Sequence, residues 1–76
     1  MRHFTLYTKP SCPYCVQAKR LIERKGDSYD ELELGKDATR EQLLERAPGA
    51  RTVPQIFLDE ELIGGFTELA GWYNHV

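Results

Sequence analysis

Cys12 and Cys15 are the only cysteines in a chain of 76 residues, and they stand in one Cys-Pro-Tyr-Cys. Two thiols at that spacing can make and break a single bond with each other. A disulfide-stapled mini-protein would need more cysteines, spread along the chain. A bridge across three positions also constrains very little chain. Structural zinc takes about four ligands. The further candidates, His3 and His75, lie near opposite ends with no ligand spacing, so no metal is expected. Redox chemistry is what remains.

The nucleophile in such chemistry is the thiolate. A free cysteine, with a pKa of about 8.5, is only ~3% thiolate at pH 7. The neighbouring sequence predicts activation. Residues 2–8 alternate Phe4 and Leu6 against His3, Thr5 and Tyr7, a strand pattern. Lys9-Pro10-Ser11 breaks it, and Pro13 suits a first helical turn. Cys15, Ala18, Leu21 and Ile22 then recur at helical spacing through Lys25, and Gly26 ends the helix. Cys12 thus falls at a helix N-terminus, facing unpaired N–H groups and the positive end of the helix dipole. Lys9 adds a cation three residues upstream. Such surroundings lower a thiol pKa to about 3.5–7.5. Cys15, one turn further in on the apolar stripe, is expected to be more buried. Cys12 therefore attacks and Cys15 resolves.

The elements that must hold this junction follow in order. Residues 28–34 read as a second, weaker strand, parallel to the first through a right-handed crossover. Thr39-Arg40-Glu41-Gln42 is a capping box that opens a short helix carrying Leu43, Leu44 and Ala47, stopped by Pro48-Gly49. Residues 54–58 and 61–63 flank Asp59-Glu60 as a hairpin. Gly64-Gly65 is a bend, and Thr67 is expected to cap a last helix carrying Leu69, Ala70, Trp72 and Tyr73. The fold class is α/β, in the order β-α-β-α-β-β-α: a four-stranded mixed sheet with three helices, in one domain spanning residues 1–76. Ligand chemistry in open α/β sheets tends to sit at strand carboxyl ends, where the cysteines fall.

Composition narrows the function classes. The chain is 41% hydrophobic with a net charge of −2, an ordinary globular balance. The first 25 residues carry +5 and the remainder −7. A pI of 5.6 is not that of a nucleic-acid-binding domain, though the basic segment suits a small anionic ligand. The longest apolar run without a polar residue is Leu62 to Phe66, far short of the ~20 residues of a membrane span. The first ten residues carry no signal-peptide core. A cytoplasmic protein with no nucleic-acid or membrane partner, and a monomer, is expected.

Three segments together resemble the dithiol glutaredoxins: Tyr7-Thr8-Lys9 leading into Cys12-Pro13-Tyr14-Cys15, then Thr52-Val53-Pro54-Gln55-Ile56-Phe57, then Ile63-Gly64-Gly65. The resemblance covers roughly residues 3–73 and implies the thioredoxin fold. It implies a cis Pro54 facing the active sulfur, with the Val53 N–H and C=O pairing with the cysteinyl part of glutathione and Thr52 among the glutathione-binding residues. Read alone, Pro54 would be an ordinary strand-start proline. Lys9 matches the basic residue that holds glutathione's glycine carboxylate, and is otherwise a loop lysine. Tyr14 matches a ring flanking the site, and is otherwise a packed aromatic. Gly65, Phe66, Thr67 and Glu68 match the turn that binds the γ-glutamyl end. Thr67 would meet its carboxylate at a helix N-terminus, and Glu68 its ammonium. Arg51 and Gln55 are further candidates for contact. Phe66 departs from the small residue or cysteine that many relatives carry, and the last helix is short after Trp72.

The resemblance implies a glutathione-dependent thiol–disulfide oxidoreductase with no tightly bound cofactor and glutathione as co-substrate. Its partners would be disulfide-containing or glutathionylated proteins, ribonucleotide reductase among the candidates. One alternative is a small redoxin that serves ribonucleotide reductase but is reduced by thioredoxin reductase. Others are a glutathione-ligated iron–sulfur carrier, which Pro13 disfavours by stiffening the loop, and a non-catalytic adaptor, which retention of both thiols opposes.

Overall fold

A computed structural model describes residues 1–75; Val76, the end of the expected domain, lies outside the described residues. The elements are β1 (His3–Thr8), α1 (Pro13–Arg24), β2 (Ser28–Glu33), α2 (Arg40–Arg46), β3 (Gln55–Leu58), β4 (Glu61–Gly64) and α3 (Phe66–Asn74). They form one four-stranded sheet in the order β2-β1-β3-β4. β1 runs parallel to β2, with Leu6 beside Glu31, and antiparallel to β3, with Leu6 beside Ile56. The β3–β4 pair is antiparallel and closes through Asp59-Glu60, with Asp59 at φ 56°. Short polar side chains tolerate that left-handed turn better than most. Order, type and number of elements are as the sequence predicts, with ends shifted by one residue or so.

The sheet is covered on both faces because its central strands alternate apolar residues outward in both directions. Phe4, Leu6 and Ile56 meet Ala18, Leu21 and Ile22 of α1 and Leu69 and Tyr73 of α3. Tyr7 and Phe57 point the other way, onto Leu43 of α2 and Ala47 at its C-cap, with Ala38 completing that smaller cluster. Burying a side chain such as Phe4 or Leu6 fully contributes about 1.5–3 kcal/mol, and both are wholly buried. Tyr7 corrects the sequence reading, which grouped it with the polar alternates of the first strand. A central strand has two covered faces, so Tyr7 is core on the second face, although Thr5 is only half-buried and His3 exposed. Trp72 and Tyr73 of the last helix close the core: Trp72 meets Phe4 edge-on at 5.6 Å.

At the end away from the cysteines, Asp27 gathers three partners. Its Oδ1 accepts from the Arg2 backbone N–H at 2.9 Å, and its Oδ2 from the Tyr73 hydroxyl at 2.7 Å. The Arg2 guanidinium stands 3.6 Å away. This clasp joins the start of β1, the α1–β2 turn and the end of α3. Among the described residues, no helix is long and apolar enough to cross a membrane.

Candidate functional site

Cys12 ends the loop leaving β1 and is the N-cap of α1, in an extended conformation. Its Sγ accepts a hydrogen bond from the Cys15 N–H at 3.2 Å. A sulfur thus stands where a hydroxyl or carboxylate oxygen ordinarily caps a helix. Pro13 occupies the first helical position, where a missing N–H costs nothing. The first turn of α1 holds no acidic residue, so nothing within it opposes negative charge on that sulfur. Ser11, at φ 59°, turns the chain into the cap.

Cys12 and Cys15 are joined in a disulfide, with Cα atoms 5.2 Å apart. Cys15 is 2% exposed and Cys12 8%. The order of exposure fits Cys12 as the attacking sulfur and Cys15 as the resolving one. Across from them the Val53–Pro54 peptide is cis, as the resemblance implies, and the Val53 carbonyl oxygen lies 3.7 Å from Cys12 Sγ.

A groove of about 300 Å³ opens beside this contact. Tyr14 from α1, Thr52, Val53 and Pro54 from the loop before β3, and Gly65, Phe66, Thr67 and Glu68 at the start of α3 line it. Eight of the nine non-cysteine site residues expected from the sequence therefore share one cavity. Lys9 does not line it. It lines an adjoining cavity of about 60 Å³, whose walls include Arg40, Arg51, Leu43 and, again, Thr52 and Val53. The Thr52–Val53 backbone is the partition between the two. Arg40 was not singled out in the sequence, because nothing local relates the first turn of α2 to the loop after β1.

One expectation is corrected here. Thr67 is not the cap of the last helix. Gly65 is the N-cap, and Glu68 Oε1 accepts its N–H at 2.8 Å. The helix starts earlier because Phe66 packs its inner side onto the core, and the glutamate supplies the cap that glycine lacks. Thr67 sits within the first turn, exposed. Gly64, at φ 127°, makes the close approach possible: a Cβ there would fall 2.8 Å from Glu68 Cβ. Gln55, a further candidate for ligand contact, does not lie at the surface. It is buried, and its Nε2 donates to the Thr52 carbonyl at 2.7 Å, bracing the partition from beneath.

A second brace joins the two sides of the cysteine loop. Thr8 Oγ1, at the end of β1, donates to Glu31 Oε2 at 2.8 Å, and Lys19 Nζ of α1 donates to both Glu31 oxygens at 3.1 Å. Burial pushes the Glu31 carboxyl up, but the hydrogen bonds from Thr8 and Lys19 outweigh it and hold the group below its ordinary value. Periodicity gave no hint of this trio, since its members come from three elements. Among the described residues, no cluster of three or more His, Cys, Asp or Glu could hold a metal ion.

Comparison with known proteins agrees with this geometry. The glutaredoxin family model matches residues 4–63. The chain is 47% identical over 70 residues to glutaredoxin 3 of Escherichia coli, spanning 91% of this chain and 83% of that one. The crystal structure of glutaredoxin 1 from Francisella tularensis complexed with cacodylate is similar at a TM-score of 0.81 and 36% identity, covering 99% of this chain and 95% of that one. The buckwheat glutaredoxin–glutathione complex is similar at a TM-score of 0.81 and 30% identity, covering 95% and 68%. The sheet order is that of the thioredoxin fold. A dithiol at the start of α1, set against a cis-proline loop on that fold, makes this chain a member of the glutaredoxin family of thiol–disulfide oxidoreductases.

Proposed function

We propose that this protein reduces protein disulfides and glutathione mixed disulfides, with glutathione as co-substrate and Cys12 as nucleophile. The observation that carries the reading is the cap: Cys12 Sγ takes the Cys15 N–H at 3.2 Å and stands 3.7 Å from the carbonyl oxygen of Val53, a residue of the groove wall. A thiolate accepts that hydrogen bond more strongly than a thiol does and lies at the positive end of the helix dipole.

The Cys12 thiolate attacks one sulfur of the substrate disulfide, and the other sulfur leaves as a thiolate and takes a proton. With a protein disulfide, Cys15 then displaces the product and leaves the Cys12–Cys15 bond. Glutathione thiolate reopens that bond to give Cys12–glutathione, and a second glutathione releases glutathione disulfide. With a glutathionylated protein, Cys12 alone suffices. Thr52 and Val53 would present backbone to the glutathione cysteine. Thr67 and the first-turn N–H groups of α3 would meet the γ-glutamyl carboxylate, and Glu68 the ammonium. Lys9, with Arg40 and Arg51 beside it, would meet the glycine carboxylate across the partition. Polar and charged groups at the two ends, Lys9 on one side and Thr67 and Glu68 on the other, favour glutathione over a reductase as the electron source.

The test is reduction of a glutathione mixed disulfide with glutathione, its reductase and NADPH supplied. Cys15→Ser should spare this reaction and lose reduction of a protein disulfide. Equal loss in both assays would overturn the division of roles.

A further inference from the structure

Phe4, Leu6 and Thr8 alternate onto the face of β1 that lies under α1, and all three are buried. On β2, Tyr29 packs against the same cluster, and Glu31 follows it on that face. Packing alone asks for apolar side chains at all five positions. At the end nearest the cysteines it receives a hydroxyl and a carboxylate instead, with Lys19 of α1 joined to them. Glu31 Oε2 accepts from Thr8 Oγ1 at 2.8 Å and from Lys19 Nζ at 3.1 Å, and Oε1 accepts from Lys19 Nζ at 3.1 Å. Apolar contact is non-directional, so it does not by itself fix where a helix lies along a sheet. A carboxylate held by two donors from different elements sets both direction and distance. Such a pair is weak evidence for stability, which leaves position as its contribution.

The elements it joins flank the cysteine loop. Thr8 ends β1, and Lys9, the next residue, lines the cationic cavity. Lys19 lies one turn beyond Cys15 on the helix that Cys12 caps. Lys9, Pro10 and Ser11 are all that separate the strand end from that cap. Glu31 therefore grips both sides of a three-residue loop, while lining neither cavity itself.

We propose that Glu31 is a positioning residue for glutathione: with Thr8 and Lys19 it clamps the end of β1 to α1, and so fixes the span from Lys9 to Cys12 Sγ that the ligand's glycine carboxylate and sulfur must match. The clamp rests on the glutathione reading above and acts through Lys9.

Thr8→Val in the intact protein removes the hydroxyl and keeps the shape. Glu31 retains Lys19 and its access to water, so the melting temperature should hold. The apparent KM for glutathione, measured with the mixed disulfide of glutathione and β-mercaptoethanol, should rise about threefold with kcat unchanged, and Thr8→Ser should restore it. Glu31→Gln, at a partly exposed site, should give the same rise, and it carries the test if Thr8→Val fails to fold. In a Lys9→Ala background Thr8→Val should add nothing, because coupled residues are not additive. An unchanged KM in both Thr8→Val and Glu31→Gln would overturn the clamp. So would a rise that adds in full to that of Lys9→Ala, which would make the trio a general support of the fold. If Lys9→Ala itself leaves the KM unchanged, the reading of Lys9 as the glycine-carboxylate residue falls and takes the clamp with it. If Lys9→Ala raises the KM and the trio variants do not, only the clamp falls.

Discussion

Helices α1 and α2 begin in opposite ways. At α2, Thr39 Oγ1 accepts the Gln42 N–H at 3.0 Å, and the Gln42 side chain accepts the Thr39 N–H at 2.8 Å. Both groups are satisfied, the box is closed, and its job is to hold a seven-residue helix too short to be stable alone. At α1 the same geometric position is held by a sulfur, with proline after it and no acid in the first turn. A thioether-sized, weakly accepting atom is a poor cap in its neutral form and a good one when ionised. The comparison teaches that one local device, a side chain closing onto the N–H three residues on, stabilises a helix when filled by oxygen and, filled by the sulfur of the reduced dithiol, would stabilise a thiolate.

The strongest way to break the comparison is Cys12→Ser. Serine is among the best N-caps, so the reduced protein should melt no lower than before. Its activity towards every disulfide should fall to the uncatalysed background, because an alcohol does not ionise at neutral pH. Residual turnover would move the nucleophile elsewhere, and a large drop in melting temperature would mean that the sulfur holds the helix start in a way oxygen cannot.

Next in size are the two ends of the groove. Lys9→Ala and Thr67→Val should each raise the apparent KM for glutathione about fivefold, the equivalent of ~1 kcal/mol for an exposed hydrogen bond to a charged group. The Cys12–Cys15 disulfide should still form in both. Unchanged glutathione kinetics in the pair would leave Lys9 as a loop lysine and Thr67 as an ordinary first-turn residue.

Thr39→Ala sharpens the other half of the comparison. Losing the oxygen cap should cost about 1 kcal/mol and lower the melting temperature by ~4–8 °C, with glutathione kinetics unchanged well below the transition. A matching rise in the KM for glutathione would instead tie the capping box to the cavity that Arg40 shares with Lys9.

The smallest expected effect lies at the far end, in the Asp27 clasp. The Arg2 backbone N–H, then the Tyr73 hydroxyl, hold the Asp27 carboxyl below its ordinary value. Burial first, and then Asp27 itself, push the Tyr73 hydroxyl up. A carboxylate depressed on folding contributes stability that is complete above the unfolded pKa of about 3.9 and is lost as pH falls towards the folded value. The unfolding midpoint of the unaltered protein should therefore drop below about pH 4 more steeply than that of Asp27→Asn, and the two curves should run parallel above it. Denaturant melts across that range check this, and parallel acid limbs would remove Asp27 from the linkage.

Much of this molecule is legible from local spacing. The helix stripe of Cys15, Ala18, Leu21 and Ile22, the capping box at Thr39, the hairpin at Asp59-Glu60 and the two thiols at a strand–helix junction all depend on residues one to four positions apart. Backbone geometry ties such residues together before any tertiary contact exists. What the sequence alone left open are the positions whose neighbours come from distant segments. Tyr7 is core because β1 is central in the sheet, and Gly65 rather than Thr67 caps α3 because Phe66 is drawn onto the core. Gln55 turns inward to brace Thr52, and Arg40 comes to stand near Lys9. The cationic cavity and the groove lined by Tyr14 and Phe66, which share Thr52 and Val53, exist only once α1, α2, α3 and the loop before β3 close around one sheet. Spacing along a chain carries no information about that closure, because the packing of both sheet faces decides which side chains meet.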